Sequence, residues 1–172
     1  MPRPALFAAA LSFSLALSLG TAFAANPPAK FAAAAPAVIG KVTPELVLSL
    51  VQGAGFTVKL DKSGDDPELT LIRKDAVTIY LNLHDCKTGS CTEADAYTYY
   101  ASSDLDTAPA ESDMVDWNSK NYTQAYIDSA DDSVNLDDLY YFKGGFTKAN
   151  FLNWLNEFKK DADLFDKMLK AL

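Results

Sequence analysis

Near the C-terminal end, Phe151, Trp154, Leu155, Phe158, Ala162, Phe165 and Leu169 recur at three- and four-residue steps, with Lys and Asp between them. That is the period of one helix face. A stripe so broad and so aromatic has to be laid over another apolar surface, and a sheet face is the obvious partner. Gly144-Gly145 punctuates the chain just before it, and Thr147 opens it.

The upstream chain supplies the strands. Thr43-Pro44-Glu45 is a helix start, with Thr as cap and Pro in the first turn. Leu46, Val47, Leu50, Val51 and Ala54 then share one face until Gly53 and Gly55 end the helix. Phe56 to Leu60 alternates like a half-buried strand. Asp61 to Pro67 is turn chemistry. Leu69 to Arg73, Ala76 to Leu83 and Ala96 to Tyr100 read as three further strands, with Lys74-Asp75 as a tight turn. Glu111 to Lys120 carries Met114, Val115 and Trp117 on a second helix. Tyr122 to Asp128 and Val134 to Phe142 are strand-like, joined by the acidic turn Asp128 to Asp132. The order α-β-β-β-β-α-β-β-α predicts an α+β fold, an antiparallel sheet flanked by helices.

The N-terminus reads differently. Arg3 precedes an apolar run from Ala5 to Leu19, and Ala22-Phe23-Ala24 is a small-x-small cleavage site. These are the parts of a secretory signal peptide, expected over residues 1–24. The run is short for a membrane span, no stop-transfer cluster follows, and no Cys near the cut invites lipidation. Residues 25–41 are Ala- and Pro-rich and are expected to be a flexible leader outside the fold. Residues 42–172 remain as one domain of ordinary size. The expected product is soluble, periplasmic or secreted, with no membrane span after cleavage.

Loss of Arg3 leaves 14 of the 15 basic residues against 23 acidic ones, a net charge of −9. That balance disfavours nucleic acid and anionic membranes as partners. Cys86 and Cys91, separated by Lys87-Thr88-Gly89-Ser90, suit a disulfide pinning a hairpin in an oxidising compartment. So short a loop would contribute about 2 kcal/mol. Recruiting His84 and Glu93 to the cysteines matches no standard zinc pattern.

No catalytic constellation stands out. His84 is the only histidine, and its neighbour Asp85 would point to the opposite face of a strand. Asp128, Asp131, Asp132, Asp137 and Asp138 lack the spacing, the Gly and the closing Glu of a calcium loop, and Asp61, Asp65 and Asp66 fail the same test. No metal site and no cofactor are therefore expected. Tyrosines are plentiful, and within Tyr97-Thr98-Tyr99-Tyr100 successive residues face opposite ways, so at least one lies outside the core. Tyr97, Tyr99, Tyr100, Trp117 and Tyr126 are the candidate binding surface.

In their order and spacing, several segments over about Val42 to Met168 resemble the bacterial YbjN family, whose members carry the label sensory transduction regulator. They are Gly55-Phe56, Cys86 with Cys91, and Asp116-Trp117-Asn118. Tyr126-Ile127-Asp128 and Gly144-Gly145-Phe146, running into Phe151, Trp154 and Phe158, complete the set. The resemblance implies a fold like that of type III secretion chaperones, often paired into dimers, and it brings no catalytic residues. A signal peptide sets this chain apart from cytoplasmic relatives. The expected function is a non-enzymatic exported module, chaperone-like or regulatory in sensory signalling, that binds a protein, a peptide or a second copy of itself. The alternative is a periplasmic small-ligand or cation sensor using the acidic turn near Asp131.

Overall fold

The structure, a computed structural model, describes residues 36–172 apart from 75, 87 and 88. The expected signal peptide, the leader as far as residue 35, Asp75 of the tight turn, and Lys87-Thr88 between the cysteines lie outside the described residues.

Thr43 caps the first helix, α1 (Pro44–Gln52), its hydroxyl accepting from the Leu46 N–H at 3.2 Å. Pro44 fits the first turn because its missing N–H is one that has no partner there. Four strands follow: β1 (Thr57–Asp61), β2 (Glu68–Ile72), β3 (Ile79–His84) and β4 (Glu93–Tyr100). After a 3-10 turn at Ser102–Asp104 come α2 (Glu111–Asn118), β5 (Gln124–Ile127), β6 (Val134–Tyr141) and α3 (Lys148–Leu169). The expected order and the α+β class are those observed.

All six strands are antiparallel in one sheet, ordered β1-β2-β3-β4-β6-β5. The first four form a meander. The last two form a hairpin that turns back, so that β6 pairs with β4 and β5 becomes the outer strand. Strand residues alternate between a buried and an open face, as period two requires. The buried set includes Leu69, Leu71, Ile79, Leu81, Leu83, Ala94, Ala96, Val134 and Leu136. Phe151, Phe158 and Phe165 of α3 are fully buried over that face, where Ala94 and Ala96 of β4 leave room for large rings. α2 packs beside β5, and its Trp117 meets Phe165 edge-on at 4.9 Å. α1 lies by β1 and α3. One core therefore joins the three helices to one side of the sheet.

Three expectations need correction. β3 begins at Ile79 rather than Ala76, because the Arg73 guanidinium donates to the Val77 carbonyl at 2.8 and 2.9 Å and draws it out of the ladder. β4 begins at Glu93 rather than Ala96, because the hairpin sets His84 opposite Glu93. Residues 25–41 are not wholly outside the fold. Ile39 donates to the Phe146 carbonyl at 2.7 Å and accepts from its N–H at 3.0 Å. Gly145, with φ +92°, permits that approach: a Cβ there would sit 2.6 Å from Val38 Cγ1.

Candidate functional site

With every described helix on one side, no described element covers the other side of the sheet, and the strand register fixes what it presents. One row runs Asp61, Glu68, Asn82, Asp95, Leu139 across β1, β2, β3, β4 and β6. The next runs Lys59, Thr70, Tyr80, Tyr97, Asp137, Gln124 and reaches β5. Thr57 and Ile72 share a third row with Tyr99, Asn135 and Tyr126. His84, Glu93 and Tyr141 close the face at one end.

Aromatic rings cluster at its centre. Tyr80 stacks on Tyr97 with centroids 5.1 Å apart and planes at 22°, and Tyr99 lies 5.9 Å from Tyr80. The Tyr97 hydroxyl donates to Glu68 Oε2 at 2.8 Å. Desolvation, then that bond to a carboxylate, holds its proton well above the ordinary tyrosine range. Tyr99, Tyr126 and Tyr141 are exposed, as are Ile72 and Leu139.

Between the rings lie carboxylates with few partners. Asp95 is half-buried, and its Oδ1 has no hydrogen-bond partner among the described residues. Desolvation, reinforced by Asp137 diagonally across on β6, raises its pKa to about 6. Asp137 is shifted upward too, by desolvation and then by Asp138. Asp95, Asp137 and Asp138 line a cavity of about 300 Å³ with Tyr122, Gln124 and Leu139.

The candidate residues divide by face. Tyr97, Tyr99 and Tyr126 lie on the open face. Tyr100 does not: it points to the helices, meets Phe165 at 6.0 Å, and desolvation drives its pKa up. Trp117 is a core residue, 7% exposed, whose indole N–H donates to Thr123 Oγ1 at 3.1 Å. Thr123 in turn donates to Asp161 of α3 at 3.1 Å. In an eight-residue helix with few apolar positions, Trp117 and Met114 dock α2. Tyr80, Tyr141, Glu68, Asp95 and Asp137 belong to the face and are not among the candidate binding-surface residues read from the sequence. Their signal was parity: each alternates with a buried strand residue.

Cys86 and Cys91 are joined by a disulfide. The loop it closes holds the chain entry: Val42 donates to Ser90 Oγ at 3.0 Å, and Cys91 N–H donates to the Val42 carbonyl at 2.8 Å. His84 Nδ1 meets Asp66 Oδ2 at 2.8 Å, a partner from the β1–β2 turn rather than the adjacent Asp85. Asp85 lies past the strand end with φ 54°. Asp65, Asp66, Asp85 and Glu93 surround His84 with carboxylates.

In the acidic turn, Asp128 Oδ1 accepts from the Ala130 N–H at 2.9 Å and Asp131 Oδ1 from the Ser133 N–H at 3.0 Å. These carboxylates serve the turn itself. Among the described residues, no group of three or more His, Cys, Asp or Glu side chains is placed to hold a metal ion. No described helix is long and apolar enough to cross a membrane.

Compared by sequence, the chain matches no family profile and no curated protein. Compared by structure, it is similar to the crystal structure of YbjN from E. coli, a protein provisionally described as a transcription regulator. The TM-score is 0.54 over 72% of this chain and 90% of that one, at 16% sequence identity. The fold is therefore YbjN-like, and the likeness is one of fold.

Proposed function

We propose that this chain is a non-enzymatic binding module, exported by its N-terminal segment, that holds a protein or peptide against the open face of its sheet. The observation that carries this reading is the one-sided packing. Three helices cover one face, and the other keeps Tyr99, Tyr126, Tyr141, Ile72 and Leu139 in solvent. Exposed aromatic and aliphatic side chains grouped on one surface are the usual anchors of an interface. The fold likeness to a protein described as a regulator supports binding over catalysis.

The test compares the wild-type protein with a Tyr99→Ser/Tyr126→Ser double variant as baits in a periplasmic extract. Both positions are exposed, so the variant is expected to fold, which its circular dichroism spectrum checks. The expected result is a partner held by the wild type and released by the variant. If the two baits retain the same partners equally, the open face is not the binding surface.

A further inference from the structure

The open face is lopsided in charge. Asp61, Glu68, Glu93, Asp95 and Asp137 lie on its strands, against Lys59 on the outer strand β1 and His84 at one end. His84 is already engaged by Asp66, and Glu68 by the Tyr97 hydroxyl. Asp95 Oδ1 and the Asp137 carboxylate have no hydrogen-bond or salt-bridge partner among the described residues, yet both groups are half out of water beside each other. Half-buried carboxylates without a counter-charge are costly, and their cost is what an incoming cation removes.

We propose that this face docks a basic polypeptide segment, one carrying Arg or Lys among apolar residues, with a cation seated between β4 and β6. The inference rests on the binding-face reading above and names the occupant. The cavity lined by Asp95, Tyr122, Gln124, Asp137 and Leu139 receives the cationic head, with an aromatic ring and an aliphatic side chain at its wall for the stem. Tyr99, Tyr126 and Ile72, exposed on the neighbouring row, take the apolar side chains. Charge complementarity selects this occupant over a second copy, since two such faces would bring like carboxylates together.

Acid should weaken the docking, because Asp95 loses its charge near pH 6. The groups that face it are His84 and Tyr80 from β3, Asp137 and Tyr141 from β6, and Glu93 and Tyr97 on its own strand. Glu68 lies beyond Asn82, and Asp138 and Tyr122 line the same cavity. Of these only His84 is a basic side chain, and Asp66 holds it at the end of the face.

The probe is a fluorescein-labelled peptide of about ten residues alternating Arg and Leu, long enough to cross the face as an extended chain. Its counterpart carries citrulline at every Arg, keeping the shape and removing the charge. Both are titrated into the processed protein and followed by anisotropy at about 50 mM salt, where exposed charges are weakly screened. The Arg peptide is expected to bind on the order of tenfold tighter than the citrulline peptide. An Asp95→Asn/Asp137→Asn variant should lose on the order of tenfold for the Arg peptide, and so should Tyr99→Ser/Tyr126→Ser. Asp116→Asn/Glu157→Gln, which alters exposed carboxylates on the helices, should change nothing.

Equal affinity for the two peptides, no binding of either, or equal losses in the face and helix variants overturns the proposal. If it fails while Tyr99→Ser/Tyr126→Ser still releases a periplasmic partner or disrupts self-association, the face binds something other than a basic segment. If that variant alters no binding at all, the binding-face reading falls with it.

Discussion

Asp95 is the residue whose ionisation the fold opposes most clearly. Its pKa is about 6 in the folded protein against an ordinary 3.8, so the folded state takes up its proton first as pH falls. The sign follows from linkage: the stability tied to this proton is fully present below the lower value and is lost as pH rises through about 6. Asp95→Asn is expected to raise stability by on the order of 1 kcal/mol at about pH 7.5, after discounting for partial exposure, and by almost nothing at about pH 4. Thermal melts at the two pH values check it, and equal gains at both would remove ionisation as the cause. Asp61 and Asp131, whose pKa values are lowered by hydrogen bonds to Ser63 and Ser133, pull the other way in both proteins and cancel in the difference.

Two adjacent glycines allow a second comparison between single residues. Gly144 and Gly145 both have φ near +90°, but a Cβ at Gly144 would meet nothing within 4 Å, whereas one at Gly145 would strike Val38 and crowd the Ile39 carbonyl. Gly144→Ala should cost about 1 kcal/mol of backbone strain, and Gly145→Ala about 2 kcal/mol or more. Denaturant unfolding of both variants measures the gap. If the two cost the same, the Ile39–Phe146 bridge contributes nothing to the difference.

Among the elements, the β3–β4 hairpin depends most on a covalent device. Cys86→Ser/Cys91→Ser is expected to cost about 2 kcal/mol, because the loop closed is short. The loss should concentrate where the loop grips Val42, so amide exchange at Val42 and at position 91 should accelerate more than exchange in α3. Uniform acceleration would mean that the bridge stabilises the domain as a whole rather than this clasp. The hairpin also marks where the sequence stops being readable. The α3 stripe and the strand alternation are local periodicities, and they led to the right element order and fold class, while the number and spacing of the cysteines led to the disulfide. The facing of Tyr97 and Tyr99 against Tyr100 follows from parity once β4 is known. Trp117 was misplaced because α2 is too short for a helical period to separate its buried face from its exposed one. The Asp95–Asp137 diagonal and the His84–Asp66 contact arise from strands meeting across turns and across the β5–β6 return, and no local pattern encodes those meetings.

At the scale of the whole molecule, the export reading has its own test. Expressed in a bacterium, the protein is expected in the periplasmic fraction as a chain beginning at Ala25 or Asn26, which N-terminal sequencing and intact mass will check. Recovery of the full chain from the cytoplasm would remove the oxidising compartment from the account of Cys86 and Cys91. The net charge of −9 expected after processing is carried in part by the open face, so the molecule should attract basic partners at a distance and repel nucleic acid.

The one-sided packing also bears on how such a sequence can change over time. Along each strand the residues that hold the helices and the residues that meet solvent occupy alternate positions, so two messages are interleaved in one stretch of chain. Substitutions at one parity can redirect recognition while leaving the folding message intact. Two proteins can then share this architecture at 16% identity, because only half of every strand is answerable to the core.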